Sequence, residues 1–221
     1  MTEQTNKPQL VIVDTGCANI TSVFCALQRL GAEVQISADP AVIGAAEKVI
    51  IPGVGTAKQA MANIDAKGLL STLQQLTQPV LGICLGMQLL TEHSAEGDVT
   101  CLGLIPGQVA PLEAQGLRLP HMGWNTLQVE STALQATHPV LQGISAADYV
   151  YFVHSFALLC DQGQPSPYML ASCDYGSKFA AVIGRRNFLG MQFHPERSGK
   201  VGARLLQNFI QLDAQSLRAP D

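Results

Sequence analysis

A cysteine held between two glycines, Gly82-Ile83-Cys84-Leu85-Gly86, carries the strongest chemical signal in the chain, and His194-Pro195-Glu196 lies far downstream of it. The short run from Gln78 to Leu81 precedes the cysteine and helical spacing runs from Leu85 to Glu92, so Cys84 is expected where a buried strand turns sharply into a helix. A turn this tight crowds the residues two before and two after its apex, and glycine has no side chain to clash there. Amides at the start of the following helix point toward the thiol and the helix dipole favours an anion, which populates the thiolate, the actual nucleophile.

Free cysteine is ordinarily a small buried hydrophobe, and Cys17, Cys25, Cys101, Cys160 and Cys173 have no setting that says otherwise. No two of the six cysteines form a CxxC pair, which argues against a zinc site or a thioredoxin-like redox pair, so no metal is expected. Pro195 biases His194 toward extended backbone, in which residues two apart share a side, so His194 and Glu196 are expected to face one target. An imidazole that takes the thiol proton needs its other nitrogen held by an acceptor, and Glu196 stands in that place. Acyl transfer further needs donors aimed at an oxyanion. The amide of Leu85, next after the nucleophile, is one. The run Val49-Ile50-Ile51 leading into Pro52-Gly53-Val54-Gly55 offers a second at Gly53 and Val54, with an ordinary strand-to-helix turn as the alternative.

Around these residues the hydrophobic pattern alternates between strand and helix. Leu10 to Asp14, Val34 to Ser37 and Lys48 to Ile51 read as buried strands. Ile20, Val23, Phe24, Leu27 and Leu30 form a helical stripe ending at Gly31, and Met61 to Leu76 reads as helix with a break near Gly68. That alternation predicts an α/β fold with a central, mostly parallel sheet flanked by helices, where ligands gather at the carboxyl ends of strands, and Cys84 and Gly53 both fall at such ends. From about Ile105 the strands shorten, with Thr126 to Glu130, Tyr149 to Val153, Lys178 to Ile183 and Phe188 to Phe193 suggesting antiparallel pairing. Gly199 to Leu212 closes the pattern as a helix with Val201, Leu205, Leu206, Phe209 and Ile210 on one face. Neither an internal repeat nor a linker divides residues 1–221, which predicts a single domain with loose tails at 1–8 and 214–221.

Composition excludes several classes of function. The 221 residues are 47% hydrophobic and carry a net charge of −4, enough for one α/β domain with a real core. Without a Lys/Arg-rich run, nucleic acid is not an expected partner, because phosphate backbones demand clustered cations. No apolar run reaches the ~20 residues that span a bilayer, so no membrane partner is expected, and the polar stretch Met1 to Pro8 lacks a signal peptide's apolar centre. The expected location is cytoplasmic, with thiols kept reduced.

The segments GICLGMQ, PGVG and GMQFHPE resemble class I glutamine amidotransferases, whose cysteine, histidine and glutamate cleave the side-chain amide of glutamine. Within that family, Asp14 to Ile20, Pro120-His121-Met122-Gly123-Trp124-Asn125, Tyr151 to Phe156 and His194 to Gly199 look like the glutaminase subunits of imidazole glycerol phosphate synthases. Ala18, where that pattern often has glycine, and Arg197, where lysine is common, depart from it outside the three catalytic positions. The resemblance implies Cys84, His194 and Glu196 as the triad, no metal or organic cofactor, and glutamine as substrate. It also implies ammonia delivery to a (β/α)8 cyclase subunit in a heterodimer that forms imidazole glycerol phosphate and an aminoimidazole carboxamide ribotide in histidine biosynthesis.

For the substrate, Gln88 lies one helical turn beyond Cys84 and shares its face. Glu96 is placed to neutralise an α-ammonium, and Gly55, Ser155 and Phe156 resemble positions that bind the amino-acid end. His154 has no carboxylate neighbour in sequence and reads as structural or substrate-adjacent. A glutaminase of another synthase and a non-catalytic module on the same fold remain the alternatives. The docking face is expected at Asn19, His121, Met122, Trp124 and Arg197. Trp124 is the only tryptophan, in a segment rich in Pro, Gly and Asn that reads as a loop, and amphipathic rings on loops are favoured interface anchors. A partly buried packing residue is the alternative for it.

Overall fold

The computed structural model describes residues 10–16, 20–129, 138–159 and 167–213. Its first half alternates as the hydrophobic pattern demands: β1 (Leu10–Val13), α1 (Ile20–Arg29), β2 (Val34–Ser37), α2 (Pro40–Ala45), β3 (Lys48–Ile51), α3 (Ala57–Ala66), α4 (Leu70–Gln74), β4 (Val80–Ile83) and α5 (Leu85–Leu89). Short strands follow, namely β5 (His93–Ser94), β6 (Val99–Thr100), β7 (Gln108–Pro111), β8 (His121–Thr126), β9 (Gln128–Val129), β10 (Tyr149–His154) and β11 (Phe156–Leu158). The chain then forms β12 (Met169–Asp174), β13 (Lys178–Arg185), β14 (Phe188–Met191) and the closing helix α6 (Gly199–Gln211).

Among the described residues, eight strands make the main sheet in the order β2-β1-β3-β4-β14-β13-β12-β9. The five from β2 to β14 are parallel, and β13, β12 and β9 continue the sheet antiparallel. Because side chains alternate across a strand, β1 sends Leu10 and Ile12 to one face and Val11 and Val13 to the other. The first face is covered by Val23 and Leu27 of α1 and by Leu205, Leu206 and Phe209 of α6. The second is covered by Ile43 of α2, Ile64 of α3, Leu73 of α4 and Met87 of α5. Burying each such leucine or isoleucine contributes roughly 1.5–3 kcal/mol. Smaller sheets, β10-β8 and β11-β7-β5-β6, lie beside the main one.

Several boundaries differ from the sequence pattern for identifiable reasons. The expected helix from Met61 starts earlier, at Ala57, because Thr56 caps it by accepting the Gln59 amide, and it breaks at Gly68, whose φ is +66°. The elbow helix stops at Leu89 instead of Glu92. The Thr91 hydroxyl donates to the Gln88 carbonyl at 2.7 Å, and the chain beyond it is drawn into β5, paired with β7 and β6. The segment from His121 to Asn125 is a strand, not a loop, paired in register with β10 so that Trp124 faces Tyr151. Thr126 to Glu130 is split, since β8 ends at Thr126 while Gln128 and Val129 cross to pair with β12. Glu130, Cys17, Ala18, Asn19, Cys160 and the expected tails lie outside the described residues.

Candidate active site

Parallel β4 delivers Cys84 at its carboxyl end, and α5 leaves immediately afterwards. Cys84 holds φ +52° and ψ −111°, a region that costs a non-glycine residue on the order of 1–3 kcal/mol. That backbone is affordable only because the flanking glycines let the chain fold on itself. A Cβ on Gly82 would stand 2.5 Å from the Gly86 carbonyl oxygen, and one on Gly86 would collide with the Ile51 carbonyl of β3. The Cys84 amide is tied to the Met191 carbonyl at 2.8 Å, which fixes the turn to β14.

The chain from β14 brings in His194, the expected base. His194 is itself extended, with φ −96° and ψ 95°, but Pro195 to Arg197 form a 3-10 turn. His194 and Glu196 therefore meet across a turn and not along an extended strand, and His194 Nδ1 lies 2.8 Å from Glu196 Oε1. Ser198 stabilises this turn: its hydroxyl donates to the His194 carbonyl at 2.7 Å and accepts the Tyr151 amide at 2.9 Å. The pair is buried, His194 at 3% exposure and the Glu196 side chain at 0%. Burial works against charging the imidazole, but hydrogen bonding and charge from Cys84 and Glu196 outweigh it and hold the His194 pKa well above the ordinary imidazole range. A proton leaving the Cys84 thiol thus has a strong acceptor beside it.

A cavity of about 350 Å³ opens over Cys84 and His194, at the lower end of the range for small-ligand sites. Leu85, Val54, Gly55, Gln88, Glu96, Ser155 and Phe156 all line it. Gly53 packs directly on the elbow, where a Cβ would lie 2.7 Å from the Gly86 amide nitrogen, so its peptide runs beside that of Leu85. The Glu96 carboxylate accepts the Ala57 amide at 3.0 Å, at the start of α3, where the helix dipole favours an anion. Gln88 is 4% exposed and both hydrogens of its amide are engaged, with the Phe156 carbonyl at 2.9 Å and Gln192 Oε1 at 3.0 Å.

The remaining expected site residues divide. Met122 and Trp124 are 62% and 54% exposed on the outer face of the β8-β10 ribbon, and the exposed Arg197 places its guanidinium 5.1 Å over the Tyr151 ring. His121 departs from the expected docking face. It is 2% exposed on the inner side of β8, stacked between Phe152 at 4.8 Å and Tyr175 at 4.0 Å. The alternation that turns Met122 and Trp124 outward turns His121 inward. Asn19 lies outside the described residues. His154 is a buried neutral group: its Nδ1 lies 2.9 Å from the Phe156 carbonyl, to which it must donate, and its Nε2 accepts from His121 Nδ1 at 3.0 Å. Burial pushes the His154 pKa down to about 3 and that of His121 to about 4.

Sequence reasoning gave no role to Gln192, Pro120 or Val153. Pro120 and Val153 line the cavity, and the Val153 carbonyl is 3.9 Å from Cys84 Sγ. The available signal for Val153 was its place two residues beyond Tyr151 on a strand entering the site.

The family model described as glutamine amidotransferase class-I matches residues 11–212. An imidazole glycerol phosphate synthase subunit HisH from Colwellia psychrerythraea is 55% identical over 222 residues, spanning 94% of each chain. The subunit of the same name from Vibrio cholerae is 50% identical over 209 residues, spanning 92% of this chain and 98% of its own. A solved glutamine amidotransferase is similar in structure with a TM-score of 0.68 at 18% identity, over 91% of this chain and 97% of that one. The glutaminase domain of a Trypanosoma brucei CTPS, solved with bound acivicin, has a TM-score of 0.58 at 14% identity, over 92% and 94%.

Proposed function

This chain belongs to the class I glutamine amidotransferase family, and from that premise we propose the path of its reaction. It acts as the glutaminase subunit of imidazole glycerol phosphate synthase in histidine biosynthesis. Cys84 attacks the side-chain amide carbon of glutamine while His194, oriented by Glu196, holds the thiol proton and passes it to the departing ammonia. The amides of Leu85 and of the Gly53-Val54 turn stabilise the oxyanion. Water then cleaves the thioester, with His194 taking a proton from it, and glutamate leaves. Gln88, with both hydrogens of Nε2 already engaged, offers the substrate only Oε1 as an acceptor, while Glu96 neutralises the substrate's ammonium and Gly55, Ser155 and Phe156 hold its amino-acid end.

The observation that carries this reading is the convergence of Cys84, His194 and all five substrate candidates on one cavity, with the His194 to Glu196 contact at 2.8 Å. The ammonia serves a (β/α)8 cyclase subunit that docks on the β8-β10 ribbon through Met122, Trp124, Tyr151 and Arg197. Cys84→Ala is expected to abolish glutamine-dependent product formation by the assembled pair while ammonium salts still support it. Glutamine-dependent turnover surviving in Cys84→Ala would sink the mechanism.

A further inference from the structure

Gln192 is fully buried between the elbow and the cavity wall, and the reaction path above makes no use of it. Its surroundings determine which way its amide points. The Phe156 carbonyl oxygen has no hydrogen to give, so the Gln88 side-chain atom 2.9 Å from it is the nitrogen, Nε2. That nitrogen uses its second hydrogen on Gln192, 3.0 Å away, and the atom it meets is therefore the acceptor Oε1. Gln192 Nε2 is then turned the other way, and it faces Cys84 Sγ at 3.8 Å. The backbone supports this placement, since the Gln192 amide is fixed to the Ala181 carbonyl at 2.9 Å.

From this geometry we infer that Gln192 donates a side-chain N–H to the Cys84 thiolate, its direction set by the Phe156 carbonyl through Gln88. This deepens, and rests on, the reading of Cys84 as nucleophile. Besides the His194 imidazole, two neutral groups compete for the sulfur. The Val153 carbonyl, 3.9 Å from Sγ, can only accept and so favours the protonated thiol. The Gln192 amide can only donate at that end and so favours the thiolate, in a site where buried surroundings strengthen each hydrogen bond. The chain of donors extends further back. The Phe156 carbonyl also receives His154 Nδ1 at 2.9 Å, and His154 Nε2 accepts from His121, whose chain neighbour Met122 is on the outer face of the ribbon. The polarity of every link is fixed by one carbonyl.

The test is the pH dependence of Cys84 alkylation by iodoacetamide in the full-length chain, read at the Cys84 peptide by mass spectrometry so that the other cysteines do not contribute. Gln192→Met keeps length and neutrality but removes the donor, and the midpoint of the alkylation profile is expected to rise by about one pH unit, a tenfold smaller thiolate population at a given pH. Gln192→Glu replaces the donor with a charged acceptor and is expected to shift the midpoint further in the same direction. In the wild-type chain, which poses no folding question, the side-chain amide signals of Gln192 in NMR are expected to move with the same midpoint as alkylation. Unchanged alkylation midpoints in folded variants, or a Gln192 amide indifferent to the Cys84 titration, would overturn the inference. A wild-type Cys84 left unlabelled by a diazoketone analogue of glutamine would instead remove the nucleophile reading itself.

Discussion

Trp124 and Tyr151 oppose each other across the β8-β10 ribbon with ring centroids 5.9 Å apart, and the carbonyl of the same Tyr151 receives the His194 amide at 2.9 Å. One residue thus joins an exposed aromatic face to the backbone of His194, the base in the proposed reaction. A partner pressing on that face would act on β10, which also places the Val153 carbonyl beside the Cys84 sulfur.

Trp124→Ala should therefore leave the fold intact, because the indole is half exposed and contributes little to the core. It should weaken docking of the cyclase by about 2 kcal/mol, the scale of an aromatic anchor, or lower the share of released ammonia that reaches product. Titrating the variant against the cyclase, with glutamate and product measured together, decides it. Unchanged affinity and stoichiometry would put the interface elsewhere.

Gly86→Ala tests the elbow. The added methyl would collide with the Ile51 carbonyl, part of the rigid β3 backbone, and cannot be absorbed by a side-chain rotation. A loss of about 3 kcal/mol or more in unfolding free energy is expected, with glutaminase activity lost in whatever remains folded. By contrast, a methyl at Gly55 meets no atom within 4 Å among the described residues beyond its chain neighbours, and the penalty of Gly55→Ala should come from a φ of +94°. Equal melting points for Gly86→Ala and wild type would show that the turn is looser than its packing indicates.

The parallel half of the sheet and the elbow were legible because local pattern and long-range packing agree there. Val80 to Ile83 is buried in full, and the glycines at 82 and 86 have a single steric purpose. That His194 and Glu196 meet was legible from residue type and spacing, although the geometry that joins them was not, since Pro195 starts a 3-10 turn as readily as it continues an extended chain. His121 to Asn125 was misread as a loop because its Pro, Gly and Asn neighbours conceal an alternation that becomes decisive only when β10 supplies the register. The orientation of Gln192 could not be read at all, because it depends on a carbonyl at Phe156 and an amide at Gln88 that only the tertiary fold brings together.

The pair His121 and His154 should make the fold sensitive to acid. Burial lowers their folded pKa values to about 4 and about 3, whereas in the unfolded chain an imidazole takes up its proton near 6.5. Between those values the unfolded chain binds more protons than the folded one. The stability the pair contributes is complete above about 6.5 and is lost as pH falls toward the folded values, by on the order of a few kcal/mol. Urea unfolding of wild type and His154→Gln at pH 7 and pH 5 checks this. The loss on acidification should be smaller in His154→Gln, and equal losses would mean that water reaches the pair.

His194 titrates in the opposite sense. Burial alone would lower its pKa, but hydrogen bonds and charge from Cys84 and Glu196 raise it to about 10, so the folded chain keeps a proton that the unfolded chain gives up near 6.5. The associated stability is fully present below about 6.5 and is lost as pH rises through about 10. NMR of the His194 ring nitrogens should show the imidazolium persisting well above neutral pH in wild type. In Cys84→Ala and in Glu196→Gln the midpoint should fall, because each removes one of the two partners that raise it. Glu196→Gln should also lower glutaminase kcat, on the order of 10²-fold, since an amide can still present an oxygen to Nδ1 but cannot stabilise the charged ring as a carboxylate does. A wild-type His194 titrating near 6.5, unmoved by either substitution, would break the link between the buried 2.8 Å contact and the proton acceptor on which the thioester step depends.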